Sequence, residues 1–192
     1  MLRRMQSSSS WWRAWTRIPP TSPCKRDGQW QKIISAPGFI GLDGLGKANI
    51  DECLTPQGTF TIDKAFGIAD DPGCQMEYTK VDDSYYWSGD PAHCFNQLVS
   101  IKDVPELDTE NSEHITDYVY QYQYVLNLGY NTECVEQNGF AFFFHCMGDR
   151  KPYTGGCVAV PENTMKQIMQ NIKPGCRITI DTMENLGADF ND

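Results

Sequence analysis

Apolar positions along this chain come in short runs broken by glycine, proline and asparagine, and most of the runs are too short for a helix. From Gln29 to Gly46 small apolar pieces alternate with glycine, which predicts one or two strands joined by tight turns. In TPQGTFTI, Pro56 and Gly58 set a turn, and Thr59, Phe60, Thr61 and Ile62 begin an alternating strand. Residues 70–96 are rich in turn formers and aromatics and show no helical period, so they read as a long loop or lid. The run TDYVYQYQYVLNL, from Thr116 to Leu128, alternates Tyr118, Tyr120, Tyr122 and Tyr124 with other residues and predicts a strand of period two. After a turn at Gln137 to Gly139, FAFFFHC predicts a wholly apolar strand with His145 at its end, and the two together predict a sheet with one face fully covered.

Beyond Cys157 the pattern changes to a period near 3.6. Pro161 stands at a helix start, Glu162 in its first turn, and Met165, Ile168, Met169 and Ile172 on one face, which predicts a helix over 162–172 packed on the core. Lys173, Pro174 and Gly175 end it, and CRITID supplies a last strand that returns to the sheet. No internal repeat is visible. The whole reads as a mainly β chain with few helices.

Length and composition agree with that picture: 192 residues, 40% of them apolar and 12% aromatic, are enough for one sizeable core. Charge divides the chain in two. Residues 1–26 carry six basic side chains (Arg3, Arg4, Arg13, Arg17, Lys25 and Arg26) and no carboxylate, which leaves 10 basic against 25 acidic residues from Asp27 onward. A domain that acidic repels polyanions, so nucleic acid is not an expected partner. The domain is expected to begin near Asp27 and to run to residue 192. The first 26 residues read as a disordered arm, a targeting segment of the transit type, or the product of a wrongly started frame. No stretch nears the roughly 20 apolar residues of a membrane span.

Eight cysteines in a chain of this size point to an oxidising compartment and disulfides, with Cys74 and Cys94 a candidate staple for the 70–96 loop. An export signal would accompany such a location, yet no apolar run of seven to fifteen residues followed by small ones stands near Met1. With three histidines and no CxxC pair, ligand spacing for zinc is missing and no metal or other cofactor is expected.

The chemistry centres on TGGC. Glycines just before a nucleophile let a substrate carbonyl approach the chain, and backbone N–H groups at such a turn receive an oxyanion. Cys157 is therefore the candidate nucleophile, with Gly155 and Gly156 as the candidate oxyanion backbone. A thiol is only slightly ionised at neutral pH and needs a base in reach, and His145, twelve positions upstream across the loop CMGDRKPYTGG, is the best placed of the three histidines. On spacing alone a disulfide cysteine and a core histidine explain the same residues. Tyr85, Tyr86 and Trp87 are candidates for a wall of a substrate groove, or for local packing. Arg150 and Lys151 are candidates for contact with a substrate carboxylate, or for a solvated loop. His93 and His114 read as structural.

The ordered succession of GLGKANIDECLTPQGTF, SEHITDYVYQYQYVLNLGYN, His145 to TGGC, and GCVAVPENTMKQIMQNIKPGCRITI resembles the L,D-transpeptidase (YkuD-like) family over about residues 30 to 181. The resemblance implies a mixed β-sandwich with few helices. It implies an extracytoplasmic acyltransferase in which Cys157 attacks a peptidoglycan stem tetrapeptide, forms a thioester, and passes the acyl group to an amine, giving a cell-wall cross-link, or to water. His145 would serve as base and acid, and Thr154, at the head of the motif, joins Arg150, Tyr86 and Trp87 among the candidate substrate contacts. Two positions depart from the family pattern. Ala159 stands where Arg or Asn is usual, and Cys146 follows the base where Ser or Gly is common, which raises the possibility of a Cys146–Cys157 bond that switches activity off. The competing reading is a non-catalytic, disulfide-rich cell-wall-binding module that keeps the fold.

Overall fold

The computed structural model describes residues 25–26, 29–30, 34–149 and 151–186. Its strands are short: β1 (Lys25–Arg26), β2 (Gln29–Trp30), β3 (Leu45–Gly46), β4 (Thr55–Pro56), β5 (Gly58–Thr61), β6 (Ala65–Gly67) and β7 (Tyr78–Lys80) precede β8 (Tyr85–Trp87), β9 (Leu98–Ser100) and β10 (Glu113–His114). Then come β11 (Val125–Asn127), β12 (Phe143–Cys146), β13 (Val158–Val160), helix α1 (Glu162–Asn171), β14 (Arg177–Ile180) and a single helical turn, α2 (Met183–Leu186). The mainly β architecture expected from the sequence holds, with two helices and several small sheets among the described residues.

The centre is a five-stranded mixed sheet in the order β13-β12-β11-β6-β7. Its middle strand, β11, pairs antiparallel with both β12 and β6, while β12 runs parallel to β13. Because side chains alternate between faces, each strand serves two cores. Leu126, Phe144 and Val158, which pair across the sheet, point to one side, where α1 covers them with Met165, Ile168, Met169 and Ile172. Phe66, Val125 and Phe143 point to the other, where they meet Trp87, Ile115 and Tyr122. The three-stranded antiparallel sheet β10-β8-β9 closes that second side.

The edge of β13 is not left open. Phe39 exchanges two backbone hydrogen bonds of 2.8 Å with Ala159, and Leu42 and Thr154 continue the pairing. That bridge is what the Gly-interrupted segment before Gly46 forms, together with β3. On its other flank the segment lies against the Cys53–Thr55 backbone, and only glycine fits at Gly41, since a Cβ there would lie 2.0 Å from the Cys53 carbonyl oxygen.

Several expectations need correction. The tyrosine alternation from Thr116 is not a strand: 3-10 turns occupy Ile115–Asp117 and Gln121–Gln123, and only Val125–Asn127 pairs in the sheet. Period two contains the helical i,i+4 spacing, and here that spacing wins, with the Tyr118 and Tyr122 rings 4.7 Å apart. The 70–96 segment is not one loop, because β7 and β8 lie within it. A turn held by Asp82, which accepts from the Ser84 N–H at 2.9 Å, leads into β8. Cys74 and Cys94 do not pair. Cys74 packs against the first core and Cys94 is exposed, and the segment is held by hydrogen bonds, including Ser88 Oγ to the His93 carbonyl at 2.7 Å and Ala92 N–H to Asp90 Oδ1 at 2.8 Å. Cys53, Cys134, Cys146 and Cys157 are likewise thiols. β14 pairs with β5 in a separate ribbon and does not join the central sheet. The basic arm, apart from Lys25 and Arg26, lies outside the described residues, as does Cys24.

Candidate active site

Cys157 immediately precedes β13, and the register of that strand against β12 places Cys157 beside Phe143 and Ala159 beside His145. Phe143 and His145 alternate to the same face of β12, so the thiol and the imidazole share one face as diagonal neighbours. Diagonal neighbours on paired strands have centres about 7–8 Å apart, within reach of long side chains. The two predicted residues are thus brought to one face by neighbouring parallel strands. Both are buried, at 8% and 5% exposure.

The histidine is oriented by the chain itself. Its Nδ1 lies 2.7 Å from the Cys146 carbonyl oxygen, an atom that can only accept. The proton therefore resides on Nδ1 and the Nε2 lone pair is free to take one, which is the tautomer a general base requires. Burial pulls the imidazole down to about 4, against a smaller upward pull from that hydrogen bond. At neutral pH it is uncharged.

The thiol is held inward. Its Sγ donates to the Ala141 carbonyl at 3.3 Å and accepts from the Phe143 N–H at 3.3 Å, and neither bond goes to His145. Burial pushes Cys157 up to about 12, the Glu113 charge adds to that, and the Phe143 N–H works the other way. The resting pair is thus a neutral thiol and a neutral imidazole. Ala141 holds a left-handed backbone, φ 60°, a strained choice for a residue with a side chain. Its N–H donates to Asn96 Oδ1 at 3.2 Å, and the same Oδ1 accepts from the Trp87 indole at 2.8 Å.

The TGGC turn is built differently at its two glycines. Gly156 has φ 139°, and a Cβ there would lie 2.6 Å from the Phe142 ring and 2.9 Å from the Leu54 carbonyl oxygen, so only glycine fits. Gly155 faces open space. Thr154 is the clasp of the turn: its hydroxyl donates to the Cys157 carbonyl at 2.6 Å and accepts from the Gly156 N–H at 3.1 Å. Thr55 adds a second hydroxyl to the same carbonyl at 3.3 Å. The Gly156 N–H expected for an oxyanion is therefore already engaged by Thr154.

The remaining sequence candidates scatter. Trp87 is 1% exposed and lies in the second core, stacked on Phe66 at 5.7 Å and edge-on to Phe143 at 4.8 Å. It supports the strand under the thiol and forms no groove wall. Tyr86 alternates to the opposite face of its strand and stacks on His114 at 4.5 Å. His114 is held by Asp117 and the Asp83 carbonyl, each at 2.9 Å. Lys151 sits over the Tyr153 ring at 5.6 Å. Arg150 lies outside the described residues. Cys146 points into the first core, across the sheet from Cys157, and its Sγ approaches the Tyr124 carbonyl, so strand alternation separates the two sulfurs and the proposed switch between them does not fit.

Three side chains that sequence reasoning passed over stand close to the thiol. Glu113 pairs with Trp87 across β10 and β8 and so faces the second core. Its carboxylate accepts a hydrogen bond from the Tyr122 hydroxyl. The Tyr122 ring stands edge-on to His145 at 5.4 Å and to Phe143 at 5.5 Å, and against Tyr118 at 4.7 Å. Although Glu113 as a residue is only partly buried, its carboxyl is enclosed. Desolvation pushes it up to about 7, against the pull of the Tyr122 hydrogen bond. The available signal was a carboxylate followed by tyrosines five and nine positions later, obscured by the apparent strand period.

Among the described residues no group of three or more His, Cys, Asp or Glu could hold a metal ion, and no helix is long and apolar enough to cross a membrane. The described residues thus form a small mixed β domain with a buried cysteine and a carbonyl-oriented histidine on one face of adjoining parallel strands. The profile of the L,D-transpeptidase catalytic domain matches residues 26–180, and the chain belongs to that family. Searches of curated proteins and of solved structures returned no match.

Proposed function

We propose that this domain is a cysteine acyltransferase acting on peptidoglycan stem tetrapeptides outside the cytoplasmic membrane. The observation that carries the reading is the pairing of Cys157 with a histidine whose Nδ1–H is committed to the Cys146 carbonyl, leaving Nε2 as the base on the thiol's own face of the sheet. Membership of the L,D-transpeptidase family supports a peptidoglycan stem as the substrate.

In this mechanism the thiol leaves the Ala141 carbonyl as the peptide enters, gives its proton to His145 Nε2, and attacks the carbonyl of the bond that precedes the terminal D-alanine. The protonated imidazole then donates to the departing amine, D-alanine leaves, and a Cys157 thioester remains. An incoming amine or water attacks that thioester, His145 accepts its proton, and the thiolate is released and reprotonated. Low affinity of the buried imidazole for a proton makes it a good acid in the leaving-group step. The oxyanion falls to backbone N–H groups around Gly156 and Cys157, with Thr154 yielding its hold on the Gly156 N–H or sharing it.

The inward bonds of the thiol favour the second reading, a binding module with a silent site. Exposure to a carbapenem, a β-lactam that acylates thiols of this kind, separates the two by intact mass. One adduct on the wild type, absent from Cys157→Ala and strongly slowed in His145→Gln, is expected of the enzyme. An unmodified wild type, or the same adduct on Cys157→Ala, would leave the binding module.

A further inference from the structure

A thioester that is to be resolved by an amine needs that amine both close and deprotonated, yet alkyl amines reach a protein as ammonium ions. A site for one has recognisable chemistry: a carboxylate with a free oxygen, aromatic faces around it, a position beside the nucleophile, and an opening to solvent. Glu113 and its two tyrosines have the first three, and Tyr118 carries the cluster to the surface. The carboxylate faces the second core from β10, directly opposite Trp87, and Tyr122 occupies one of its oxygens. No hydrogen bond among the described residues engages Oε2. Tyr122 packs against both His145 and Phe143, and the Phe143 N–H holds the Cys157 sulfur, so a single ring spans from the carboxylate to the catalytic pair. Tyr118 lies 4.7 Å from Tyr122 and is 38% exposed, with Val119 and Tyr120 more exposed beside it, so the tyrosine side of the cluster opens outward.

We propose that Glu113, flanked by Tyr118 and Tyr122, is the subsite that receives the primary ammonium group of the acyl acceptor and takes its proton before attack on the Cys157 thioester. The proposal rests on the acyltransferase reading above and names the residue that would favour an amine over water. The step balances. The ammonium gives one proton to the Glu113 carboxylate, and the neutral nitrogen forms the new C–N bond as the C–S bond breaks. The second proton passes from nitrogen through His145 to the departing sulfur. The products are an amide, a Cys157 thiol and a protonated Glu113, which must lose its proton to solvent before the next turnover.

On its own face Glu113 is raised to about 7, while the groups whose shifts are resolved around it lie far from neutrality. Tyr118 and Cys157 are each pushed up to about 12, Tyr122 is raised well above the usual phenol range by burial and the Glu113 charge, and His145 is pulled down to about 4. His114, its neighbour on β10, alternates to the other face and stacks on Tyr86, and Asp117 holds its ring.

The test uses Nα-acetyl-lysine amide, a primary alkylammonium without a carboxylate, titrated into the wild-type chain and into Glu113→Gln by NMR. Wild-type affinity is expected to rise at least about tenfold between pH 5.5 and 8.5, as the carboxylate ionises, since apparent affinity scales with the competent fraction. Glu113→Gln is expected to bind at least about tenfold more weakly at pH 8 and to lose the pH dependence. In the acylated enzyme the ratio of aminolysis to hydrolysis should fall at least about tenfold in the variant. Equal affinity in the two proteins, or wild-type affinity flat with pH, would overturn the subsite. The wild-type titration decides alone if Glu113→Gln does not fold. A wild type that takes no adduct from a carbapenem yet binds the probe in this way would retire the acyltransferase reading and leave the ammonium site in place.

Discussion

The two faces of the five-stranded sheet are built from the same strands and do different work. On the α1 side, Leu126, Phe144, Val158 and Val160 meet a stripe of Met165, Ile168, Met169 and Ile172, and the interior is almost wholly apolar. On the other side, Phe66, Val125 and Phe143 share their interior with Cys157 and Tyr122, with His145 and the Glu113 carboxyl alongside. The first face gains from burying hydrocarbon. The second bears the cost of burying groups that prefer water, and that cost appears as a thiol pushed up to about 12, an imidazole pulled down to about 4 and a carboxyl raised to about 7. A single strand, β12, serves both: Phe144 and Cys146 face the apolar interior, while Phe143 and His145 face the side that holds the titratable groups. Strand alternation thus keeps the apolar interior and the buried titratable groups apart.

The largest test of that division is Cys157→Ala. Acylation should fall below detection, while stability changes by only about 1 kcal/mol, the size of the hydrogen bonds lost, as read by denaturant unfolding. His145→Gln should come next, slowing acylation about 10²- to 10⁴-fold with the fold intact, measured by the rate of carbapenem adduct formation. Phe144→Ala, one residue away but on the other face, should do the reverse. It should lower stability by about 3–5 kcal/mol and leave the acylation rate of the folded fraction within a factor of about three. A Phe144→Ala protein of native stability, or a His145→Gln protein that unfolds, would break the comparison.

Acidity sharpens it further. Glu113 is held above its ordinary value in the folded chain, so it favours folding below pH 4.5 and that advantage is lost as pH rises through about 7. Glu113→Gln should therefore gain stability relative to the wild type across this window, by up to about 3 kcal/mol, in thermal or denaturant unfolding at pH 4.5, 6 and 8. His145, held low, has the opposite sign: its contribution is present above pH 6.5 and is lost as pH falls toward 4. The smallest contrast lies within the motif. Gly156→Ala should cost about 1–3 kcal/mol, because its backbone is left-handed and a Cβ would strike Phe142. Gly155→Ala should stay within about 0.5 kcal/mol.

Much of this division was legible in the chain, and the part that was not has a physical cause. The apolar run before His145 and the Met/Ile period after Pro161 announce their elements locally, and TGGC announces a turn at which a nucleophile can stand. The partition of β12 into two faces follows once its strand state is known, but which face holds the helix depends on residues far away in sequence. The tyrosines from Tyr118 to Tyr124 misled because an alternation of two also satisfies a helical turn, and the Tyr118–Tyr122 contact chose the turn. Trp87 reads as a loop aromatic, since β8 is three residues long and sits among turn formers, yet its ring lies in the core. Glu113 is invisible until β10 pairs with β8 and turns its carboxylate inward. The cysteine count suggested staples, whereas Cys74 and Cys146 are packing residues in the first core.

The central claim is that the second face carries a thioester chemistry through Cys157. The most direct measurement is intact and peptide mass spectrometry of the protein quenched in acid after mixing with a stem tetrapeptide that ends in D-alanine. The account expects an added mass equal to the tripeptide acyl group, mapped to Cys157, with D-alanine released in equal amount and no such adduct on Cys157→Ala. D-Alanine release without any adduct requirement for Cys157, or no release and no adduct from the folded wild type, would contradict it.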